Sequence, residues 1–176
     1  MLAHMREGGG QNAGSAKVDG VEFEALMTPG DNDRVELSFN DLDARYSNFT
    51  PTLGSGASRN FKGLQLDRSP KYTAVAGYTH TFRLGDGGKI DAAVRTHLSD
   101  EYYLKDLTAL VQYRQPSFTK TDVTLTYTAR EGRWYVQGFA KNLENEITLE
   151  VARSGIAAAA TGGEPPTYGI RTGAKF

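Results

Sequence analysis

The chain contains no cysteine and only three histidines among its 176 residues. Structural zinc sites, iron–sulfur clusters, disulfides and thiol nucleophiles depend on these residue types, so the sequence offers almost nothing from which to build them. The 20 basic and 21 acidic residues nearly cancel, and no excess of positive charge points to nucleic acid. The composition therefore predicts no metal site, no cofactor and no nucleic-acid partner.

Long hydrophobic runs are absent as well. No stretch of about 18 apolar residues occurs, which excludes a membrane-spanning helix. The N-terminal segment, Met1–Glu7 followed by three glycines, has no apolar core and does not resemble a signal peptide. We therefore expect residues 1–11 to be an incomplete loop, the remnant of an upstream portion of a longer protein.

Aromatic residues are frequent by contrast, with nine tyrosines and eight phenylalanines in a chain of low mean hydropathy. Such a composition suits β-structure, in which large side chains pack well on a pleated surface. Between Lys71 and Leu84 the even-numbered residues are mostly apolar or aromatic and the odd-numbered ones mostly polar or small, so Tyr78 and Thr79 are expected on opposite faces. This alternation predicts a long strand with one face in an apolar medium and the other in water.

A period of two recurs along the chain and predicts six further strands. They are placed at residues 21–27, 34–46, 90–98, 122–128, 134–143 and 168–176. In the second of these segments the apolar positions change from odd to even numbers after Phe39, a change that would fit a β-bulge. Between Trp134 and Leu143 both faces carry large residues, and the sequence leaves their facing open.

The connections between these segments alternate in length. Short ones, rich in residues that tolerate positive φ, lie at 29–33, 85–88 and 130–133, and long ones lie at 47–68, 104–116 and 151–166. Short turns at one end and long loops at the other are typical of bacterial outer-membrane barrels. We predict an all-β fold: an antiparallel up-and-down meander of about seven long strands, an incomplete segment of a transmembrane β-barrel. A soluble all-β binding or structural module is the alternative, although sandwich strands are typically shorter.

Four motifs, in the order found in the family, resemble the β-barrel of TonB-dependent receptors. They are Asn12–Gly14 with Gly20–Glu24, Ser69–Tyr72, Phe139–Asn145 and the C-terminal Pro165–Phe176. The resemblance covers residues 12–176 and is to the last strands of the barrel. The chain ends on an aromatic residue, and Tyr168, Ile170 and Phe176 stand where the family carries the assembly signal that the barrel-assembly machinery recognises.

The resemblance implies a receptor of the bacterial cell outer membrane, in contact with outer-membrane lipid. Such a receptor takes up a scarce bulky ligand, commonly a ferric siderophore, with energy from TonB. No TonB box or plug domain is found in these residues, so TonB is expected to act only through an N-terminal plug outside them. Ligand contacts are expected from outer loops, where aromatic and arginine side chains recognise an iron chelate by stacking and charge. The candidates are Tyr46, Phe49, Arg59, Phe61, Tyr102 and Tyr103.

Enzymatic and ion-binding patterns are weaker. The glycines of residues 54–58 lack the strand-then-helix context of a phosphate loop, and Asp31–Asp33 lacks the glycine and closing glutamate of a calcium loop. His80 or His97 could act in a hydrolytic triad only with a nucleophile elbow, which the sequence lacks. His80, near a turn on an apolar face, is instead expected in an interfacial aromatic girdle. We therefore predict that the protein is not an enzyme.

Overall fold

The computed structural model describes residues 14–53, 55–106, 110–153 and 159–175. The predicted N-terminal remnant, residues 1–11, and the C-terminal Phe176 lie outside these ranges. In chain order the strands are β1 (Ser15–Gly30), β2 (Asp33–Asn48), β3 (Tyr72–Arg83), β4 (Lys89–Ser99), β5 (Tyr102–Asp106), β6 (Val111–Gln115), β7 (Phe118–Thr128), β8 (Trp134–Lys141), β9 (Leu149–Arg153), β10 (Ala159–Gly162) and β11 (Thr167–Ala174). A short 3-10 helix, Arg130–Gly132, separates β7 from β8. Within the described ranges no helix is long and apolar enough to cross a membrane.

Seven of the strands form one antiparallel sheet in the order β1-β2-β3-β4-β7-β8-β11. The predicted all-β meander of about seven long strands is therefore confirmed. The sheet is open, and β1 and β11 form its two edges. Two of the long connections, predicted only as loops, contain small hairpins in which β5 pairs with β6 and β9 with β10. Such hairpins pair their own backbone groups, which lets a long connection be ordered outside the main sheet.

The strand pairing separates the sheet into an apolar face and a polar face, because directly opposed residues of neighbouring strands share a face. Tyr78 lies opposite Val35 and Val94, whereas Thr79 lies opposite Arg34 and Ala93, so the predicted alternation in β3 is confirmed. Many large side chains of the apolar face are exposed. They include Val21, Phe23, Phe39, Phe82, Leu125, Tyr168 and Ile170. An exposed apolar surface as continuous as this is one that lipid or another apolar surface covers.

In strand β8 the sequence did not determine which residues lie on the apolar face and which lie on the polar face. Its Val136 lies on the apolar face, whereas Tyr135 and Phe139 lie on the polar face, directly opposite Gly173 and Gly169 of β11. A Cβ atom on Gly169 would stand 2.9 Å from the Phe139 ring, and one on Gly173 would stand even closer to the Tyr135 ring. Large residues fit on both faces of β8 because the neighbouring strand has no side chains where the two rings lie.

We expect Gly173→Val to weaken the pairing of the last strand. The new side chain would occupy the space of the Tyr135 ring, and overpacking of this kind costs roughly 1–3 kcal/mol. The free energy of unfolding in lipid vesicles measures the effect. The matched control is Thr172→Val, which introduces the same residue one position away on the apolar face, in place of a threonine of nearly the same shape. Equal stability of the two variants would contradict the packing of the ring on the glycine.

The β-bulge predicted in β2 after Phe39 is wrong. β1 and β2 stay in continuous register between Ala16 and Met27 of β1, and the register shifts lie outside this stretch. Farther along β2, Ala44 and Tyr46 are buried by the long connection that follows the strand. The apolar residues of β2 change face because a loop covers the polar face at that end, while the backbone continues as a regular strand.

Candidate functional site

The three long connections meet at the end of the sheet opposite the tight turns. We call them loop A (residues 49–71), loop B (residues 100–117) and loop C (residues 142–166), and together they form the outer loops. Five of the six predicted ligand-binding residues belong to loops A and B, and Tyr46 lies near the end of β2 that leads into loop A. The outer loops are therefore the first candidate for a binding surface.

Aromatic side chains form the interior of loop A. Tyr46, Phe49 and Phe61 are only 4%, 5% and 0% exposed, and together with Leu110 of loop B they form one buried cluster. The rings of Tyr46 and Phe49 stack with their centroids 4.9 Å apart, and that of Phe61 lies 5.7 Å from Phe49. The structure thus brings three of the predicted residues together and gives them a packing role. Contact between these rings and a ligand remains a prediction.

Lys105 of loop B closes over this cluster. Its Nζ donates to the hydroxyl of Tyr46 and lies 4.6 Å and 5.3 Å from the ring centroids of Tyr46 and Phe49. Its backbone N–H donates to Oδ1 of Asp67 in loop A, at 2.6 Å. A cation over aromatic rings gains more where water is partly excluded, as it is here. Sequence reasoning missed Lys105 because nothing in its neighbourhood distinguishes it from a solvated loop lysine.

The predicted residue Arg59 makes a second contact between loops A and B. Its Nη1 donates to the carbonyl oxygen of Leu110 at 2.7 Å, and its guanidinium lies 5.1 Å from the ring centroid of Phe61. The residue as a whole is exposed. Arg59 therefore combines a contact between the loops with a charged surface that a ligand could reach.

The two predicted tyrosines lie on β5 and are half-buried. Tyr103 is joined to loop A through its carbonyl oxygen, which accepts from the N–H of Arg68 at 2.9 Å. The hydroxyl of Tyr102 donates to the carbonyl oxygen of Leu149 in loop C, at 3.3 Å. Burial raises the pKa of Tyr102, so its hydroxyl stays protonated at neutral pH and acts as a donor. Tyr102 and Tyr103 thus connect loop B to both neighbouring loops.

Loop C is held by Asn142, which is 4% exposed and adopts a positive φ of 53°. Its side-chain amide donates to the carbonyl oxygens of Glu146 and Glu164, at 3.0 Å and 3.1 Å, and its Oδ1 accepts from the N–H of Glu146 at 2.9 Å. Asparagine tolerates this backbone conformation better than most residues. The sequence around Asn142 resembles the family pattern, but only the folded structure shows what the Asn142 side chain does. Asn142 joins the beginning of loop C to its end.

Glu144 anchors the same loop to the sheet. Its Oε2 accepts from the backbone N–H of Thr121 at 2.7 Å, and hydrogen bonding from Thr121 lowers the pKa of the Glu144 carboxyl. Gln115, at the end of β6, holds the other side of the loop, because its Oε1 accepts from the N–H of Leu149 at 2.6 Å. These contacts make the outer loops one connected body above the sheet.

An inner groove of about 360 Å³ lies on the polar face beneath loop C. Lys120 lies in it and donates through Nζ to Oγ1 of Thr148 at 3.0 Å. The lining contains as many lysine and arginine side chains as carboxylates, so it has no net charge with which to select a ligand. It suits a ligand with many hydrogen-bonding groups. The lining residues are Arg95, His97, Lys120, Asp122, Lys141, Asn142, Thr148, Glu150, Gly163, Glu164 and Pro165. Within the described ranges no group of three or more histidine, aspartate or glutamate side chains could hold a metal ion.

The remaining sequence candidates lie outside the outer loops. Tyr168 and Ile170, 82% and 75% exposed, share the apolar face of β11, and Phe176 lies outside the described residues. Their role as an assembly signal remains a prediction. His80 lies on the same face, where Nδ1 is 2.7 Å from Oδ1 of Asp33 at the first turn.

We expect Lys105→Met to loosen the attachment of loop B to loop A. Methionine keeps most of the length but removes the charge above the Tyr46 ring and the hydrogen bond to its hydroxyl. A partly buried cation–π contact contributes about 1–2 kcal/mol, so amide hydrogen exchange in both loops should accelerate roughly five- to thirtyfold. Lys105→Arg keeps the cation and should exchange like the unmodified protein. Unchanged exchange in Lys105→Met would show that Lys105 does not hold the loops.

Comparison with known proteins agrees with this geometry. Among solved structures the chain is similar to the ferric yersiniabactin uptake receptor FyuA from Yersinia pestis, with 21% identity and a TM-score of 0.74 over 92% of this chain and 24% of that one. It is also similar to the siderophore receptor PiuA from Acinetobacter baumannii, with 20% identity and a TM-score of 0.67 over 89% of this chain and 21% of that one. At such identities the likeness shows the fold. The chain spans about a fifth to a quarter of the length of these receptors.

The family follows from the sequence itself. No curated protein sequence matches the chain, but a family model does, over residues 7–143, and that model describes a TonB-dependent receptor-like β-barrel. The match covers well over half of the chain and includes all eight strands from β1 to β8. The chain therefore belongs to the TonB-dependent receptor family and forms part of its β-barrel.

Proposed function

We propose that these residues form part of the wall of a bacterial outer-membrane receptor that takes up a ferric siderophore with energy from TonB. The observation that carries the proposal is the continuous, exposed apolar face on a sheet of this family. Lipid covers that face, and the polar face lines the interior of the barrel. The unpaired edges of β1 and β11 pair with further strands of the same receptor, because an open edge in hydrocarbon leaves backbone groups unsatisfied.

We propose that the outer loops contribute to the ligand-binding surface in two ways. Tyr46, Phe49 and Phe61 fix the shape of the loops from inside, where they are buried. Arg59, Tyr102 and Tyr103 offer a guanidinium and phenol groups that can donate to, or stack on, a chelate of iron. The inner groove lies below them and offers further donors and acceptors on the way through the barrel.

The partners of such a receptor are TonB, the barrel-assembly machinery and an iron chelate. TonB reaches the receptor through a plug domain outside these residues. The barrel-assembly machinery recognises the last strand through Tyr168, Ile170 and Phe176. The ligand is a metal chelate, and the iron in it is cargo, held by the chelator.

Uptake by iron-starved cells tests the function. Cells that produce the receptor should accumulate radiolabelled iron from one class of ferric siderophore, and accumulation should stop when TonB is deleted. The protein should fractionate with the outer membrane. A monodisperse monomer in light scattering without detergent would contradict the proposal and favour a soluble all-β binding or structural module.

We expect Phe176→Ala to reduce insertion into the outer membrane and to leave ligand affinity unchanged in the molecules that do fold. The physical reason is that the last strand is recognised before the barrel closes, whereas the ligand binds to the outer loops of the closed barrel. Heat-modifiable mobility in gels measures the inserted fraction. Lys175→Ala, one residue earlier and exposed, is the control. Normal insertion with weakened ligand binding would contradict the proposed role of Phe176.

A further inference from the structure

The tip of loop A, residues 52–63, presents two cations and no carboxylate on its surface. The cations are Arg59 and Lys62, and both residues are exposed. The aromatic residue of the tip, Phe61, is fully buried. The other exposed residues of the tip are small or neutral: Thr52, Ser55, Gly56, Ala57, Ser58, Asn60 and Gly63. The tip therefore offers a ligand charge and hydrogen-bonding groups, and its aromatic ring is not available for stacking.

The positive charge of the tip is not balanced within loop A. Loop A contains four basic residues and one acidic residue, Asp67, and no aspartate or glutamate occurs between Asp43 and Asp67. The carboxylate of Asp67 already accepts from the backbone N–H of Lys105. In the part of the chain that the structure describes, neither Arg59 nor Lys62 takes part in an ion pair.

The carboxylates of loop B do not neutralise the tip. Oε2 of Glu101 is 2.8 Å from Nε of Arg114, and Asp100 interacts with the same guanidinium. Asp106 is only 4% exposed, so its carboxylate lies inside the loop. The acidic residues of loop B thus act on their own loop.

Loop C is acidic, with four glutamates and one arginine, but it lies over a different part of the sheet. It joins β8 to β11, whereas loop A joins β2 to β3, and β2 and β8 are four strand spacings apart. That separation is about 19 Å, and charges in water are largely screened beyond about 8 Å at physiological ionic strength. Glu150 comes nearest to loop A, since its backbone carbonyl accepts from Arg68 at the base of that loop.

Loop A folds over the polar face of the sheet. Tyr46 lies on that face, opposite Ala16 of β1, and its ring packs against Phe49 and Phe61 of loop A. In the proposed function the polar face lines the interior of the barrel, so loop A lies at the mouth. A solute that enters the barrel meets Arg59 and Lys62 before it reaches the inner groove.

We propose that the tip of loop A selects a ferric chelate with net negative charge over a neutral one, and that Arg59 and Lys62 are the selecting residues. This inference rests on the proposed function. Catecholate and carboxylate chelators leave excess negative charge on the oxygens around ferric iron, whereas a trihydroxamate chelator only balances the charge of the metal. A guanidinium donates to such oxygens in pairs, and an ammonium attracts them as a point charge.

Binding of ferric complexes of defined charge tests this selection. The receptor is titrated with ferric complexes of tris-catecholate, hydroxycarboxylate and trihydroxamate siderophores, at low and at physiological ionic strength. We expect the complexes that bind tightly to be anionic. Their dissociation constants should rise with salt, because both selecting side chains are exposed and their attraction is screened.

Lys62→Gln should weaken the binding of the anionic complex about fivefold, the upper range for one exposed ion pair, and Lys62→Arg should retain it. Lys62 is a cleaner probe than Arg59, because Arg59 also bonds to loop B. The matched control is Lys17→Gln. Lys17 is exposed at the same end of the sheet, but it lies opposite Arg45, the neighbour of Tyr46, and therefore on the other face. This control should bind like the unmodified receptor.

The outcomes separate the selection from the proposed function. Unchanged affinity in Lys62→Gln, or binding of neutral complexes at least as strong as that of anionic ones, would overturn selection by charge and leave the uptake of iron chelates standing. Binding of no ferric complex from any of the three chelator classes would overturn the selection together with the proposed function.

Discussion

Val123→Arg is expected to lower the folding stability of the receptor in membranes by about 2–4 kcal/mol, the usual cost of a cation near the bilayer midplane on the lipid face of a barrel. Val123 lies in the middle of β7 on the apolar face, opposite Val94 on one side and Ala140 on the other. Neither neighbour offers a group that could pair with a guanidinium. The fraction of receptor that shows heat-modifiable mobility, and its unfolding midpoint in vesicles, should both fall.

Thr124→Arg is the matched control for this experiment. Thr124 is the next residue of the same strand, but it lies on the polar face, opposite Ala93 and Phe139. An arginine there remains in contact with water on the polar face. Equal defects in the two variants would mean that the apolar face does not lie in lipid.

Asn142→Ala should release loop C while the sheet stays folded. Alanine removes two donors and one acceptor that serve the backbone of Glu146 and Glu164. Losing the three hydrogen bonds of this buried side chain costs about 2–3 kcal/mol in local stability. Amide hydrogen exchange in loop C should therefore accelerate roughly thirty- to more than a hundredfold. Ligand affinity should fall with it, because loop C forms the upper wall of the inner groove.

Asn145→Ala separates the lost hydrogen bonds from backbone strain. Asn145 has nearly the same positive φ, 55° against 53° for Asn142, but its side chain is exposed. Asn145→Ala places alanine at a positive φ, which costs about 1–2 kcal/mol. It leaves the hydrogen bonds from Asn142 to Glu146 and Glu164 intact. If both variants exchange alike, strain alone explains the effect and Asn142 has no special role in holding the loop.

The candidate site was only partly visible in the sequence. Aromatic and arginine residues in the long connections were correctly located at one end of the sheet, and the structure brings Tyr46, Phe49 and Phe61 into one cluster. Their burial could not be foreseen, since it depends on a lysine and a leucine from a different loop. Lys105 approaches Tyr46 from 59 residues away, and no local pattern records a contact over such a separation.

The sequence alone also does not show which residue of the apolar face is best replaced by arginine to test contact with lipid. Tyr78 and Thr79 lie on opposite faces of β3, as predicted, and from the sequence alone Tyr78→Arg is a suitable probe of the lipid face. In the structure, however, the Tyr78 hydroxyl donates to Oδ1 of Asp33 at 2.6 Å. An arginine at that position would gain a carboxylate partner, which would mask the cost of burying a charge in lipid. Val123 avoids this difficulty.

The sequence by itself determined the seven strands of the main sheet, the order of turns and long connections, and the two faces of that sheet. These depend on the identity of alternate residues and on turn chemistry, both of which are local. Tertiary structure decided the facing of β8, the regular course of β2 after Phe39, and the joining of the outer loops into one body. Each of these depends on what a neighbouring strand or loop places beside a residue: glycines opposite Tyr135 and Phe139, a loop above Tyr46, and a lysine from loop B. Local patterns cannot determine them, because packing partners are chosen by the folded arrangement.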